Sequence, residues 1–113
     1  MAEPTTREEI IKDIKENLAR LSPDTVSKYA VMLSAHLAGL GENLATADLV
    51  YHQEWERIRM CVETDGFADK KSKATEAYYN KRMLETQEKS TVQIIQALKK
   101  RLGVMENELR SQC

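Results

Sequence analysis

The stretch VSKYAVMLSAHLAGLGENLATADLVYHQEWERIRMC, residues 26–61, decides how this chain folds. Within it Val26, Ala30, Leu33, Leu37, Leu40, Leu44, Ala47, Tyr51, Glu54, Ile58 and Cys61 follow one another at alternating four- and three-residue steps, and Glu54 is the only charged member. Residues spaced in this way share one stripe of an α-helix and repeat with the heptad period of a coiled-coil seam. Beyond Asp65-Gly66 the series Ala74, Ala77, Lys81, Leu84, Glu88, Thr91, Ile95, Leu98, Leu102, Met105 and Leu109 keeps the same rhythm. The pattern predicts two long helices that fold back on each other about that dipeptide.

Working outward, Thr6 followed three residues later by Glu9 reads as a capping box, and Ile10, Ile11, Ile14, Leu18 and Leu21 give an apolar face to a first helix over about 7–21. Ser22-Pro23-Asp24 ends that helix and starts the next: Ser caps, Pro fits the first helical position, and Asp suits the positive end of the helix dipole. The second helix is expected over about 23–62, about 60 Å at 1.5 Å per residue, and the third over about 67–110. Folding back at both turns brings three apolar faces together at one end and leaves only two helices from about Asn43 to Glu88. The expected fold is therefore all-α, a single domain over residues 1–113: a short N-terminal helix plus a long antiparallel helical hairpin, with a three-helix head and a two-helix coiled-coil stalk. Gly39 and Gly41 sit at the boundary, where a bend or a close helix approach is expected.

Only four Gly and two Pro occur, which favours helix throughout. No run of about 18 apolar residues is present, and the acidic, threonine-rich start differs from a signal or transit peptide. A soluble, cytoplasmic protein with no membrane association is expected, with Cys61 and Cys113 as reduced thiols.

The expected stalk leaves Leu49, Val50, Trp55 and Val62 off the seam with nothing to cover them. Each large apolar side chain contributes about 1.5–3 kcal/mol on burial, so a partner surface is expected here. Self-association into a homodimer, with Trp55 near the centre of the interface, answers that need most economically.

The net charge of −1 conceals an uneven distribution. Residues 1–66 carry 7 Lys or Arg against 12 Asp or Glu, whereas residues 67–113 carry 10 against 6. Opposite signs on facing helices help to fix their register. Lys81 lies in a seam and needs an anion, for which Asp48 and Glu54 are the candidates. Three basic clusters, Lys70, Lys71 and Lys73, then Lys81 and Arg82, then Lys99, Lys100 and Arg101, share the third predicted helix with Tyr78 and Tyr79. Phosphate contacts together with aromatic stacking on single-stranded nucleic acid would use that combination. Glu76, Glu85 and Glu88 interrupt the positive field, so an exposed face laced with ion pairs is the competing reading.

Asp48, His52 and Glu56 lie at i, i+4 and i+8 on one helical face. Oxygen and imidazole ligands at that spacing suit a divalent metal, but a site needs ligands converging from elsewhere, and an exposed polar face is the simpler reading. No phosphate-binding Gly-rich loop and no nucleophile paired with a base is present. The expectation is a protein that is not an enzyme and uses no metal or cofactor.

Leu44-Ala45-Thr46-Ala47-Asp48 leading to Tyr51, the Ala77-Tyr78 step, and Ile94-Ile95-Gln96-Ala97-Leu98-Lys99-Lys100-Arg101-Leu102 resemble small helical-hairpin proteins of tailed bacteriophages. The resemblance covers about residues 22–110 and implies a phage or prophage setting with an accessory role; it supplies no site residues. The preferred function is a non-enzymatic helical interaction or adaptor protein that self-associates and binds another, unidentified protein. The alternative is an accessory nucleic-acid-binding protein of phage replication or recombination that uses the basic third helix.

Overall fold

A computed structural model describes residues 4–112, and every described element is helical. Helix α1 spans Arg7–Asn17. Thr6 caps it by accepting from the Glu9 backbone N–H, while the Glu9 carboxylate accepts from the backbone N–H of Thr5, one residue before the expected partner. The helix stops earlier than the expected 7–21. Asn17 leaves helical geometry at φ −133° and its side chain donates to Asp13 at 2.7 Å, so Leu18–Arg20 tighten into a 3-10 turn.

Helix α2 spans Pro23–Arg59, with Ser22 Oγ accepting from the Thr25 N–H at 3.2 Å as the Ser-Pro-Asp reading anticipates. It is continuous through Gly39 and Gly41, and no described residue has a positive φ. The chain then turns over residues 60–64, where Arg59 donates to the Val62 carbonyl at 2.9 Å and to the Asp65 carboxylate. Asp65-Gly66, expected as the turn, instead opens helix α3, Asp65–Ser72. Thr64 is the reason: its hydroxyl accepts from the Phe67 N–H at 3.2 Å, and Asp65 then sits favourably in the first turn.

The third helix expected over 67–110 is likewise two helices. Ser72 Oγ donates back to the Asp69 carbonyl at 3.0 Å, and Thr75 Oγ1 donates to the Ser72 carbonyl at 2.6 Å. Thr75 also accepts from the Tyr78 N–H at 3.3 Å, which makes it the cap of helix α4, Glu76–Gln112. Hydroxyls that capture backbone groups in this way end one helix and start the next.

The contacts group the chain into two compact units, residues 1–38 with 90–113 and residues 39–89. In the first unit Ile10 from α1, Val26, Tyr29 and Leu33 from α2, and Ile95, Leu98 and Met105 from α4 form one buried cluster. Its polar edge is satisfied: Arg7 donates to the fully buried Thr91 hydroxyl at 2.7 Å, and the Tyr29 hydroxyl donates to Asp13. His36 Nε2 lies 3.1 Å from the Thr5 carbonyl and so carries the proton there.

The second unit has a leaner interior made of Ala47, Ile58, Ala68 and Ser72. Helix α3 supplies the partner that two helices alone lack. Tyr51 meets the Ser72 hydroxyl at 3.0 Å, and Trp55 Nε1 donates to Asp69 at 2.6 Å. Residues 43–88 are therefore not a two-helix segment, and Trp55 is half-buried rather than waiting uncovered.

Candidate interaction surface

Lys81 anchors one side of the second unit. Its ammonium lies 3.0 Å from Asp48 Oδ1, 3.9 Å from Glu85 and 4.8 Å from the centre of the Tyr51 ring, which is tilted against Tyr78 at 5.5 Å. The bond to Asp48 raises the Lys81 pKa above its ordinary value, outweighing the opposing effect of burial, with lesser help from Glu85 and Tyr51. Of the two anions expected for Lys81, Asp48 is the partner. Glu54 is taken by Arg57 at 2.5 Å, which holds its carboxyl below the usual range.

On α2 and α4 of the same unit an open groove of two adjoining parts runs between the helices. One part is lined by Asn43, Thr46, Ala47, Val50, Ala77, Asn80 and Leu84, the other by Val50, Glu54, Thr75, Glu76, Ala77, Tyr79, Asn80 and Met83. Val50, Ala77 and Asn80 belong to both and mark its middle. Three of its apolar side chains stand in solvent: Val50 is 47% exposed, Tyr79 68% and Met83 41%. A smaller groove in the first unit is lined by Ser27, Ala30, Val31, Ser34, Leu98, Lys99 and Leu102.

Of the four residues expected at a self-association surface, Leu49 and Val50 are exposed, while Trp55 and Val62 are half-buried, and only Val50 lines the groove. Tyr79 stands in the sequence pattern only as a candidate for stacking on bases, and Asn80 and Met83 carry no expectation there. Their signal was available as an i, i+4 pair flanking an amide, next to the small seam residue Ala77.

The basic residues are placed unequally. Lys70, Lys71 and Lys73 are exposed together at the end of α3. Lys81 is tied to Asp48, and Arg82 pairs with Glu85 at 3.1 Å. Lys99 and Lys100 are exposed on α4 in the first unit, whereas Arg101 beside them is half-buried with its Nε out of solvent. Asp48 of the candidate metal stripe is engaged by Lys81, and among the described residues no three His, Cys, Asp or Glu converge as metal ligands. Cys61 is exposed as a free thiol; Cys113 lies outside the described residues. Among the described residues no helix is long and apolar enough to cross a membrane. Comparison with protein-family models, with curated proteins and with solved structures finds no match for the chain.

Proposed function

We propose that this chain is a non-enzymatic helical interaction protein that self-associates and binds another protein, in the cytoplasm of a phage- or prophage-carrying cell. The observation that supports this reading best is the open groove of the second unit, where Val50, Tyr79 and Met83 leave apolar surface in water around a floor of Ala47, Ala77 and Leu84. Within each unit α2 and α4 are taken to pack as an antiparallel coiled coil, with one further helix lying against them. Such a unit offers a helical surface on which a partner can lie. The grooves provide what a partner helix needs: an apolar floor, an amphipathic rim, and two flanking helix walls.

The reading is tested by capture. The full-length chain, immobilised in a lysate of its native source, is expected to retain a defined protein that a Val31→Asp or Val50→Glu variant releases, since both side chains are exposed and their replacement leaves the core intact. Retention of the same proteins by wild type and both variants would sink it.

The alternative, nucleic-acid binding, draws on one observation: Lys70, Lys71, Lys73, Lys99 and Lys100 are all exposed. The pairing of Lys81 and Arg82 with carboxylates removes the middle of the basic set, which is why it ranks second.

A further inference from the structure

Helix α3 is held in place by few contacts. Its eight residues are fewer than the roughly 12–15 that let a helix persist by itself in water, so its position depends on what it touches. Only Ala68 and Ser72 among them are buried, and both are small, whereas Phe67, its largest apolar side chain, is 59% exposed. Two side-chain bonds tie it to α2: Trp55 Nε1 donates to the Asp69 carboxylate at 2.6 Å, and the Tyr51 hydroxyl meets Ser72 Oγ at 3.0 Å. The first is open to water, which lowers its contribution.

The break between α3 and α4 is as lightly made. No Gly or Pro occurs over residues 67–102, and Lys73, at the break, keeps right-handed helical geometry at φ −69°, ψ −13°. The next two backbone N–H groups, of Ala74 and Thr75, bond the carbonyls of Lys71 and Ser72, three residues back, at 3.1 Å each. Moving each bond one carbonyl further back turns this corner into unbroken α-helix. The sequence suits that form too. Phe67 lies seven residues before Ala74 and extends the heptad series of α4, a place its exposed side chain leaves unused while α3 is folded over.

We propose that α3 is a latch. Closed, it lies against Tyr51 and Trp55 of α2; open, it leaves both and straightens into α4 as one helix from about residue 67 onwards, so the two aromatic side chains are uncovered only in the open form. The Thr75 cap, the two bonds of Ser72 and the bond of Asp69 to Trp55 hold it closed. All of these residues belong to the second unit, so the latch opens without unfolding the core around Leu98.

Two measurements on the full-length chain test this. In native-state hydrogen exchange of the wild type, the amides of residues 68–72 should open together, at least about 100-fold more readily than that of Leu98. Asp69→Ala, at an exposed position, should raise that opening about fivefold and leave the Leu98 amide as it was. In a Cys61→Ser, Cys113→Ser background, spin labels on Gln53→Cys and Lys70→Cys, both exposed positions, should report a main short separation and a minor longer one. Ser72→Leu, which puts a bulky helix former at a fully buried site, should make the longer one dominant, with helicity kept and Trp55 emission shifted to the red. Amides of α3 that exchange only together with the core overturn the latch, and so does a single short separation in both proteins. A broad spread of separations with loss of helicity overturns it as well, because α3 then melts instead of joining α4.

Discussion

The Tyr29 hydroxyl on α2 donates to the Asp13 carboxylate on α1, and so ties the short first helix to the long second one. With the Asn17 amide as a second, smaller cause, this bond holds the Asp13 carboxyl below its ordinary pKa, against a weaker opposing effect of burial. A folded-state pKa below the unfolded value brings stability that is complete above about pH 4 and is lost as pH falls through the folded value. Tyr29→Phe is expected to cost about 1 kcal/mol at neutral pH, a figure kept low because the site is partly solvated. Its denaturant midpoint should also depend less on pH in the acid range than that of the wild type. Parallel acid limbs for the two proteins would show that the bond contributes nothing.

Leu33 and Leu98 belong to the same buried cluster, at 0% and 1% exposure. Either change to Ala is expected to cost about 2–5 kcal/mol, the transfer loss plus a cavity that three converging helices fill poorly. Because the two side chains share neighbours, the double change should cost less than the two single changes summed. Urea melts in which Leu98→Ala is silent while Leu33→Ala is severe would mean that α4 does not pack there.

The buried stripe was readable because heptad spacing is a local property of the chain. Val26, Leu33, Ala47 and Ile58 from one seam, and Thr91, Ile95, Leu98 and Met105 from the other, are buried where the period places them. Lys81 finding Asp48 was readable for the same reason, since a seam charge needs a counter-ion across the pair. The start of α3 was misread because Asp-Gly is a strong turn signal, yet Thr64 ahead of it is an equally good cap. The break between α3 and α4 was harder to see. It rests on the Ser72 and Thr75 hydroxyls capturing nearby carbonyls, and Ser and Thr make the same bonds inside unbroken helices, as Thr86 does to the Arg82 carbonyl in α4. Trp55, the most conspicuous residue in the sequence, is diverted to Asp69.

Thr75 makes the break by using its hydroxyl twice, as donor to Ser72 and acceptor from Tyr78. Thr75→Ala is expected to cost about 1 kcal/mol, the usual value of a lost N-cap. Its local mark should be faster amide exchange at Tyr78 with the cluster around Leu33 unaffected. Unchanged exchange at Tyr78 would mean that Glu76 and the helix itself fix the start of α4 without help.

The Lys81–Asp48 pair has side chains 21% and 47% exposed, so its coupling measured by a Lys81→Met and Asp48→Asn double-mutant cycle is expected to stay below about 1 kcal/mol. Here the sign is opposite to that of Asp13. A lysine pKa raised in the folded state brings stability that is complete below the unfolded value of about 10.4 and is lost as pH rises through the folded value. Asp48→Asn should therefore lower stability at neutral pH and flatten its fall as the pH rises through the alkaline range. Alkaline limbs of equal slope in the two proteins would show that Tyr51 and Glu85 hold the ammonium by themselves.

Lys99 and Lys100 are exposed and Arg101 is half-buried, so replacing all three with Gln asks whether the positive charge on α4 has a use. If the chain acts through its apolar grooves, the triple variant should keep its self-association constant within a few-fold, because exposed charges contribute under about 1 kcal/mol each. Lys99 lines the groove of the first unit, so some weakening of a protein partner held there is also expected. Nucleic-acid binding predicts a different outcome: the wild type would bind unrelated single-stranded oligonucleotides at low salt, lose that affinity steeply as salt rises, and show a shallower salt slope in the variant. Titration of a labelled oligonucleotide at two salt concentrations separates these cases. Salt-sensitive micromolar binding that the triple change abolishes would place the exposed lysines, rather than the grooves, at the centre of what this protein does.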